Sequence, residues 1–437
     1  MTGISNAMAS KVALAGAGIL VLATLAGCAE DEPGPQFANN PPTATAGASA
    51  GLPTTVPATP LPAATPVAAT PVAIEDVLGT RGAVPRIFLA SSESIWAVDD
   101  RGNSEEIFSA EPDERVLAIG PSPDARQVAA MVAWDGGRET SLVILDAGGD
   151  VVKEVELPGR LSATPAAAQV AGSALVDWSP QGDKILLVMP DDSLLTLAVA
   201  ADASPESIDP GASGGHILGP SWSPTGQQVA YLRVDPETRS RSLAVYDLAS
   251  GDTREVVSST DGRLVVEFAW EPDGKSLLFT EGAAPGGVIT GIDLWRIGID
   301  GQGRELVAAA GTAAPVARIT NVTPSPDGKS VAYAVLVPGD GTPRVDGVWV
   351  RELASGQGFR LGLPSMRSVE GIWWTSRGLA IATVTDRQNE PILAVLLVSP
   401  SGNVSALWAR PLSAAAPAAT PATPPSAANQ TQDAASP

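Results

Sequence analysis

Pro324-Ser325-Pro326-Asp327-Gly328-Lys329-Ser330, followed by Val331-Ala332-Tyr333-Ala334-Val335, is the stretch whose reading decides the fold. Ser-Pro-Asp-Gly is turn chemistry: proline presets φ at the first turn position, aspartate caps its own backbone, and glycine takes the position with φ > 0. The apolar run behind it is short and rich in β-branched and aromatic residues, which predicts a strand. The chain repeats the unit. Trp178-Ser179-Pro180-Gln181-Gly182-Asp183-Lys184, Trp222-Ser223-Pro224-Thr225-Gly226 and Trp270-Glu271-Pro272-Asp273-Gly274-Lys275 are copies, as is Ser122-Pro123-Asp124, and Trp374-Thr375-Ser376-Arg377-Gly378 is a degraded one.

The copies at Ser122, Ser179, Ser223, Glu271, Ser325 and Thr375 are 57, 44, 48, 54 and 50 residues apart. A period of about 40–55 residues with several strands per unit predicts a β-propeller. A second repeat lies downstream of each copy: an apolar strand, a turn that usually holds glycine, then another strand. Leu243-Ala244-Val245-Tyr246-Asp247 before Ser250-Gly251-Asp252 is one example, and Leu294-Trp295-Arg296-Ile297 before Asp300-Gly301 is another. Leu194-Leu195-Thr196-Leu197 is a weaker unit without the glycine, and Ile95-Trp96-Ala97-Val98-Asp99 starts one at the front. There are thus six first hairpins and seven second hairpins. The expectation is an all-β chain, a propeller of seven blades, with six or eight as alternatives, whose first blade borrows a strand. Ile74–Gly79 is the first candidate donor and the segment after Arg410 the second. One blade cannot hide its own faces, so Trp178, Trp222, Trp270 and Trp374 are expected to fill the gaps between neighbours. Pro121 and Pro324 replace the tryptophan in two units. Trp134 and Trp373 are off the pattern and are expected to be exposed.

The 437 residues carry a net charge of -21, with 44 glycines, 39 prolines, one cysteine and one histidine. An acidic surface repels phosphate backbones, which argues against nucleic acid as a partner. One cysteine rules out a disulfide within the chain, and one histidine makes a His/Cys metal site a poor expectation.

The termini are a different material. Residues 12–27 are an apolar run of 16 behind Lys11. That is shorter than the roughly 20 residues a spanning helix needs and fits a secretory leader. The run ends Leu25-Ala26-Gly27-Cys28, which resembles a bacterial lipobox. The resemblance implies cleavage between Gly27 and Cys28, a thioether-linked diacylglycerol and further acyl chains such as palmitate on Cys28, and attachment to the cell membrane outside the cytoplasm. Residues 28–80 are rich in Pro, Thr and Ala and have no apolar period, so they read as a disordered tether. Fully extended, it would reach on the order of 150 Å. Residues 411–437 repeat that composition as a disordered tail, leaving 81–410 for the propeller.

The turn-and-strand unit also resembles the WD40-like propeller repeat of the TolB family, over most of residues 86–410. The resemblance speaks to fold; such propellers serve as envelope scaffolds, peptidase gates and sugar-lyase domains. This chain lacks the α-helical N-terminal domain of TolB itself.

Catalytic patterns are absent from the sequence. There is no Gly-x-Ser-x-Gly elbow. A Ser-His-Asp triad would have to use His216, in Gly214-Gly215-His216-Ile217, a linker leading into a strand. Propeller sugar lyases depend on several histidines. Asp99-Asp100 with Asn103, Asp146 with Asp150, and Asp340 with Asp346 are acidic turns without the spacing of a calcium loop. The expectation is therefore a non-enzymatic, monomeric, membrane-anchored lipoprotein without cofactor or metal, whose propeller binds a protein or envelope component. The alternatives are a small-ligand, glycan or peptide sensor or enzyme using carboxylates in the central channel, and a structural spacer.

Overall fold

The computed structural model describes residues 9–13, 19–24 and 87–411, apart from short stretches within the last range, the longest being 158–174. Every regular element among the described residues is a β-strand. The first sheet orders β1 (Ala9–Ala13), β2 (Ile19–Thr24), β3 (Ile87–Ser91), β4 (Ser94–Val98) and β5 (Ser104–Ser109). A four-stranded sheet follows from β6 (Arg115–Pro121), β7 (Gln127–Trp134), β8 (Glu139–Asp146) and β9 (Val151–Glu156). The next two comprise β10 (Val176–Trp178), β11 (Lys184–Val188), β12 (Leu194–Ala198) and β13 (Glu206–Ile208), then β14 (His216–Trp222), β15 (Gln228–Val234), β16 (Arg241–Asp247) and β17 (Thr253–Val257).

One eight-stranded sheet takes in β18 (Arg263–Trp270), β19 (Ser276–Ala283), β20 (Thr290–Gly298), β21 (Glu305–Ala308), β22 (Arg318–Pro324), β23 (Ser330–Val337), β24 (Arg344–Glu352) and β25 (Gly358–Arg360). The last sheet is β26 (Ser368–Thr375), β27 (Gly378–Arg387), β28 (Glu390–Val398) and β29 (Val404–Pro411).

Both hairpin repeats fold as such. Six first hairpins run from β6–β7 to β26–β27. Seven second hairpins run from β4–β5 to β28–β29 and include the glycine-less β12–β13. The count of seven separate blades needs correction. Five sheets stand as single blades, and β18–β25 form one sheet, because β20 and β22 meet in a parallel pair at Ile292 and Arg318.

The place beside β3 also differs from expectation. Ile74–Gly79 lies outside the described residues. Past Arg410 the described residues end at Pro411, which closes β29 opposite Ile392. The position is taken by β2, from the apolar run 12–27, which runs parallel to β3 with Ile19 opposite Phe88. β2 also lies against β6 and β26.

The turns explain why the sheets are so alike. In the copy that opened the sequence, Ser325 N donates to Ser330 O at 2.7 Å and Gly328 N to Ser325 O at 2.8 Å. Ser325 Oγ donates to Asp327 Oδ1 at 2.5 Å, and Asp327 accepts from Lys329 N at 3.0 Å. Gly328 has φ +68°, and a Cβ there would lie 3.8 Å from Cδ of Pro272 in the preceding copy. A Cβ at Gly274 would meet Thr225 Cγ2 at 3.1 Å and Pro224 Cδ at 3.7 Å. Turn chemistry thus also sets how closely neighbouring units stack.

Candidate functional site

The first strands of successive four-stranded units lie against one another, β6 on β10, β10 on β14, β18 on β22 and β22 on β26. They form the inner wall of the ring, and most of them carry a bulge before the Trp position. A bulge frees backbone N–H groups from the ladder, and these need partners.

Carboxylates on the neighbouring inner strand supply several. Asp177 on β10 accepts from Trp222 N at 2.8 Å. Burial pushes its carboxyl up from 3.8 to about 6, against the hydrogen bonds from Trp222, Ser221 and Trp178. Glu267 on β18 accepts from Val322 N at 3.1 Å and Thr320 Oγ1 at 3.1 Å, and also from the Asn321 backbone. Asn321 has φ +56°, so its stretch of backbone turns donors toward one point, where an anion fits. Burial raises the Glu267 carboxyl above its usual range despite those donors. Further round, Thr323 Oγ1 donates to Ile372 O at 2.8 Å.

The tryptophans add a second set of fasteners. Trp178 Nε1 donates to Gly120 O at 2.7 Å, Trp270 Nε1 to Ser221 O at 3.2 Å and Trp374 Nε1 to Thr323 O at 3.2 Å. Each reaches the residue just before the Trp position of the preceding unit. Gly120 permits the approach: a Cβ there would meet Val176 O at 2.9 Å. Trp222 Nε1 has no hydrogen-bond partner among the described residues. Pro324 carries no such donor, and at that seam Glu267 makes the connection instead.

The expected site residues fall as follows. Trp178, Trp222 and Trp270 are buried, and Trp374 is half-buried. Pro180, Pro224, Pro272, Asp273, Gly274, Pro326, Asp327 and Gly328 form the turns. Gly27 and Cys28 lie outside the described residues. The expectation that Trp373 is exposed is corrected: it is 6% exposed and packs with Ile87 and Leu89 of the first sheet. Trp134 is half-buried, and its Nε1 donates to Glu139 at 2.8 Å. His216 is the first residue of the strand that the linker leads into, β14, opposite Val234.

The acidic turns hold backbone. Asn103 Nδ2 donates to Asp99 Oδ2 at 2.7 Å, and with the donors Asn103 N at 2.8 Å and Arg101 N at 2.9 Å on Oδ1 it keeps the carboxyl below the usual range. Asp146 Oδ1 accepts from Gly148 N at 2.8 Å and Asp150 N at 2.9 Å. Asp340 lies outside the described residues. No cluster of three or more metal-ligating side chains occurs among the described residues.

Two further carboxylates are buried in ion pairs. Glu271 holds Arg296 Nε at 2.7 Å, and Glu281 holds both Arg263 Nε at 2.5 Å and Arg304 Nη2 at 2.6 Å. Arg304 also stacks over Trp295, 4.4 Å from the ring centre. A cleft of about 500 Å³ opens between β10–β13 and β14–β17, lined by Asp183, Lys184, Glu206, Asp209, Trp222 and Tyr246 among others. Asp177 and Glu267 were the residues that sequence reasoning missed. A signal was available: each is an acid inside an apolar inner strand, close before a repeat tryptophan.

The fold is a β-propeller. Solved structures of similar architecture include an oligogalacturonate lyase in complex with manganese, at 14% identity and a TM-score of 0.50, covering 68% of this chain and 82% of that one. A puromycin hydrolase mutant matches at 16% identity and a TM-score of 0.50, covering 74% of this chain and 51% of that one. TolB from Acinetobacter baumannii matches at 18% identity and a TM-score of 0.36, covering 64% and 67%. No protein-family model matches the chain. At these identities the likeness concerns the fold alone.

Proposed function

We propose that this chain is an extracytoplasmic lipoprotein whose propeller is a non-catalytic binding module for a protein or envelope component. The observation that carries the reading is what the buried carboxylates do. Asp177 and Glu267 sit on the inner wall, where an acid–base pair would be wanted, yet both accept backbone N–H groups of the next inner strand. Glu271 and Glu281 are held by arginines. A carboxylate committed to backbone donors is a fastener with its acceptor sites occupied.

The eight-stranded sheet divides at its single parallel pair into two four-stranded halves of the common plan. Cys28 would carry the lipid, and residues 28–80 would hold the ring off the membrane. Processing before Cys28 would remove β1 and β2, so the mature first blade would keep β3, β4 and β5. Intact-mass analysis of the membrane-extracted protein should give a chain that begins at acylated Cys28. Cys28→Ala should release it to the soluble fraction; a variant that stays membrane-bound as before would rule out the lipid anchor.

A second reading, a glycan- or peptide-directed sensor or enzyme, draws on the raised carboxyl groups of Asp177 and Glu267. The two readings separate on partner capture. Mild crosslinking in intact envelopes should couple the wild-type propeller to a defined component, and its absence would count against the binding module.

A further inference from the structure

The cleft between β10–β13 and β14–β17 has two walls, and the register of the strands defines both. On one sheet Asp177 is opposite Leu186, Leu186 opposite Thr196 and Thr196 opposite Glu206, so the four share a face. That face looks toward the next sheet, because Asp177 accepts from Trp222 N and Leu186 packs with Trp222 and Val229. On the other sheet Trp222 is opposite Val229, and Val229 opposite Tyr246, so those three face back. At the inner strands the walls touch, Leu186 on Trp222. Farther out, Thr196, Glu206 and Tyr246 line an open space of about 500 Å³. β13 is three residues long and pairs no nearer the turns than Glu206, which leaves this outer part of the seam unfilled.

The lining carries three carboxylates, Asp183, Glu206 and Asp209, against one ammonium, Lys184. Asp183 Oδ1 accepts from Ser179 Oγ at 2.8 Å. Neither Asp183 nor Glu206 makes an ion pair among the described residues, whereas the buried Glu271 and Glu281 are both held by arginines. Tyr246, Ile208 and Leu248 add an aromatic and apolar surface. Trp222, 6% exposed, lines the inner end. Its Nε1 is sealed from solvent and has no partner among the described residues, although Trp178, Trp270 and Trp374 each have one. The cleft thus combines unpaired negative charge, an aromatic wall and an unused donor. A cation on an apolar stem, attached to a carbonyl-bearing backbone, answers all three; an anion would meet the carboxylates, and an apolar ligand would leave the donor unpaired.

We propose that this cleft binds a lysine or arginine side chain of a peptide partner. The cation faces Asp183 and Glu206, and the stem lies against Tyr246. A carbonyl of the peptide takes up the Trp222 donor once the indole, anchored by no hydrogen bond, tilts toward it. The net charge of -21 draws a basic partner in at long range. The inference deepens the binding-module reading and rests on it for the choice of a peptide as ligand. It is tested with the purified full chain and short peptides, so a failure here leaves the envelope crosslinking result untouched.

The test is a calorimetric titration of the full chain with acetyl-Gly-Lys-Gly-amide and acetyl-Gly-Arg-Gly-amide, with the Glu and Leu peptides of the same frame as controls. The wild type should bind at least one basic peptide and neither control. The Trp222 Nε1–H proton resonance, identified by its loss in Trp222→Phe, should move as the basic peptide is added. Glu206 and Lys184 are exposed, so changes there leave the fold intact. Glu206→Gln should weaken binding about two- to fivefold, the worth of one exposed ion pair. Lys184→Gln removes a repelling charge and should tighten it. Tyr246→Phe keeps the ring and should bind as the wild type does, while Tyr246→Leu should bind more weakly. The proposal is overturned if neither basic peptide binds, if the Glu peptide binds as well as they do, if Glu206→Gln leaves the affinity unchanged, if Lys184→Gln weakens it, or if the Trp222 resonance stays in place, which would put the binding elsewhere.

Discussion

Ala125 stands with φ +53° at the turn position where its sister copies have Gly182, Gly226, Gly274 and Gly328. An L side chain there is strained, and glycine is not. Ala125→Gly should therefore raise stability by about 0.5–1 kcal/mol, read as a higher denaturation midpoint at unchanged slope; no gain would mean that the methyl's packing outweighs the strain. Asp177 gives a pH test. Its carboxyl rises from 3.8 to about 6 on folding, so the folded chain holds the proton more tightly than the unfolded chain. Its contribution is most favourable below pH 4 and declines as pH rises through about 6, by on the order of 3 kcal/mol in all. Asp177→Asn should remove that part of the stability–pH curve; an unchanged slope between pH 4 and 7 would contradict the assignment. Residue-level chemistry was readable where it is local. Asp327 and Gly328 announce a turn by their own side chains, whereas the donors that hold Asp177 and Glu267 come from strands more than 40 residues away.

At the scale of the element, the repeat tryptophans differ from one another in a measurable way. Trp178 Nε1 has Gly120 O, and Trp222 Nε1 has no partner among the described residues. Trp178→Phe strips a buried carbonyl of its donor and should cost about 1–2 kcal/mol more than Trp222→Phe. Equal costs would mean that the tryptophans act by volume alone. The six first hairpins and seven second hairpins could be read from the sequence because each is closed by its own turn. Which of two adjacent tryptophans is buried could not. The register shift between Val369 and Gly371 resets the alternation of β26, and Trp373, opposite Ala380, ends up in the core.

Across the whole molecule, the last sheet closes on the first. Leu407 and Trp408 of β29 pack with Ile87, Leu89 and Val98, and Arg410 lies over the Trp96 ring at 4.5 Å. Gly102 sits at the tightest point of that join: it has φ +84°, and a Cβ there would meet Leu407 O at 1.9 Å. Gly102→Ala combines left-handed strain with a backbone clash and should cost at least about 2 kcal/mol. Calorimetry would report it as a lower, broader melting transition; a wild-type melt would mean that the two ends of the ring are not joined there. The extent of the ring was legible in the 44–57-residue spacing, but its division into sheets was not. One parallel pair, Ile292 with Arg318, merges two units, and no local motif marks such a contact. The strand beside β3 was equally hidden, because β2 is separated from it by 62 residues of sequence, 25–86. The central claim, that the propeller binds and does not transform, is tested most directly by quantitative crosslinking of the full chain in intact envelopes against a control that carries residues 1–86 alone. The account predicts a reproducible partner that crosslinks to the propeller, is missing from the control, and is competed by excess soluble propeller; crosslinks no different from the control would contradict it.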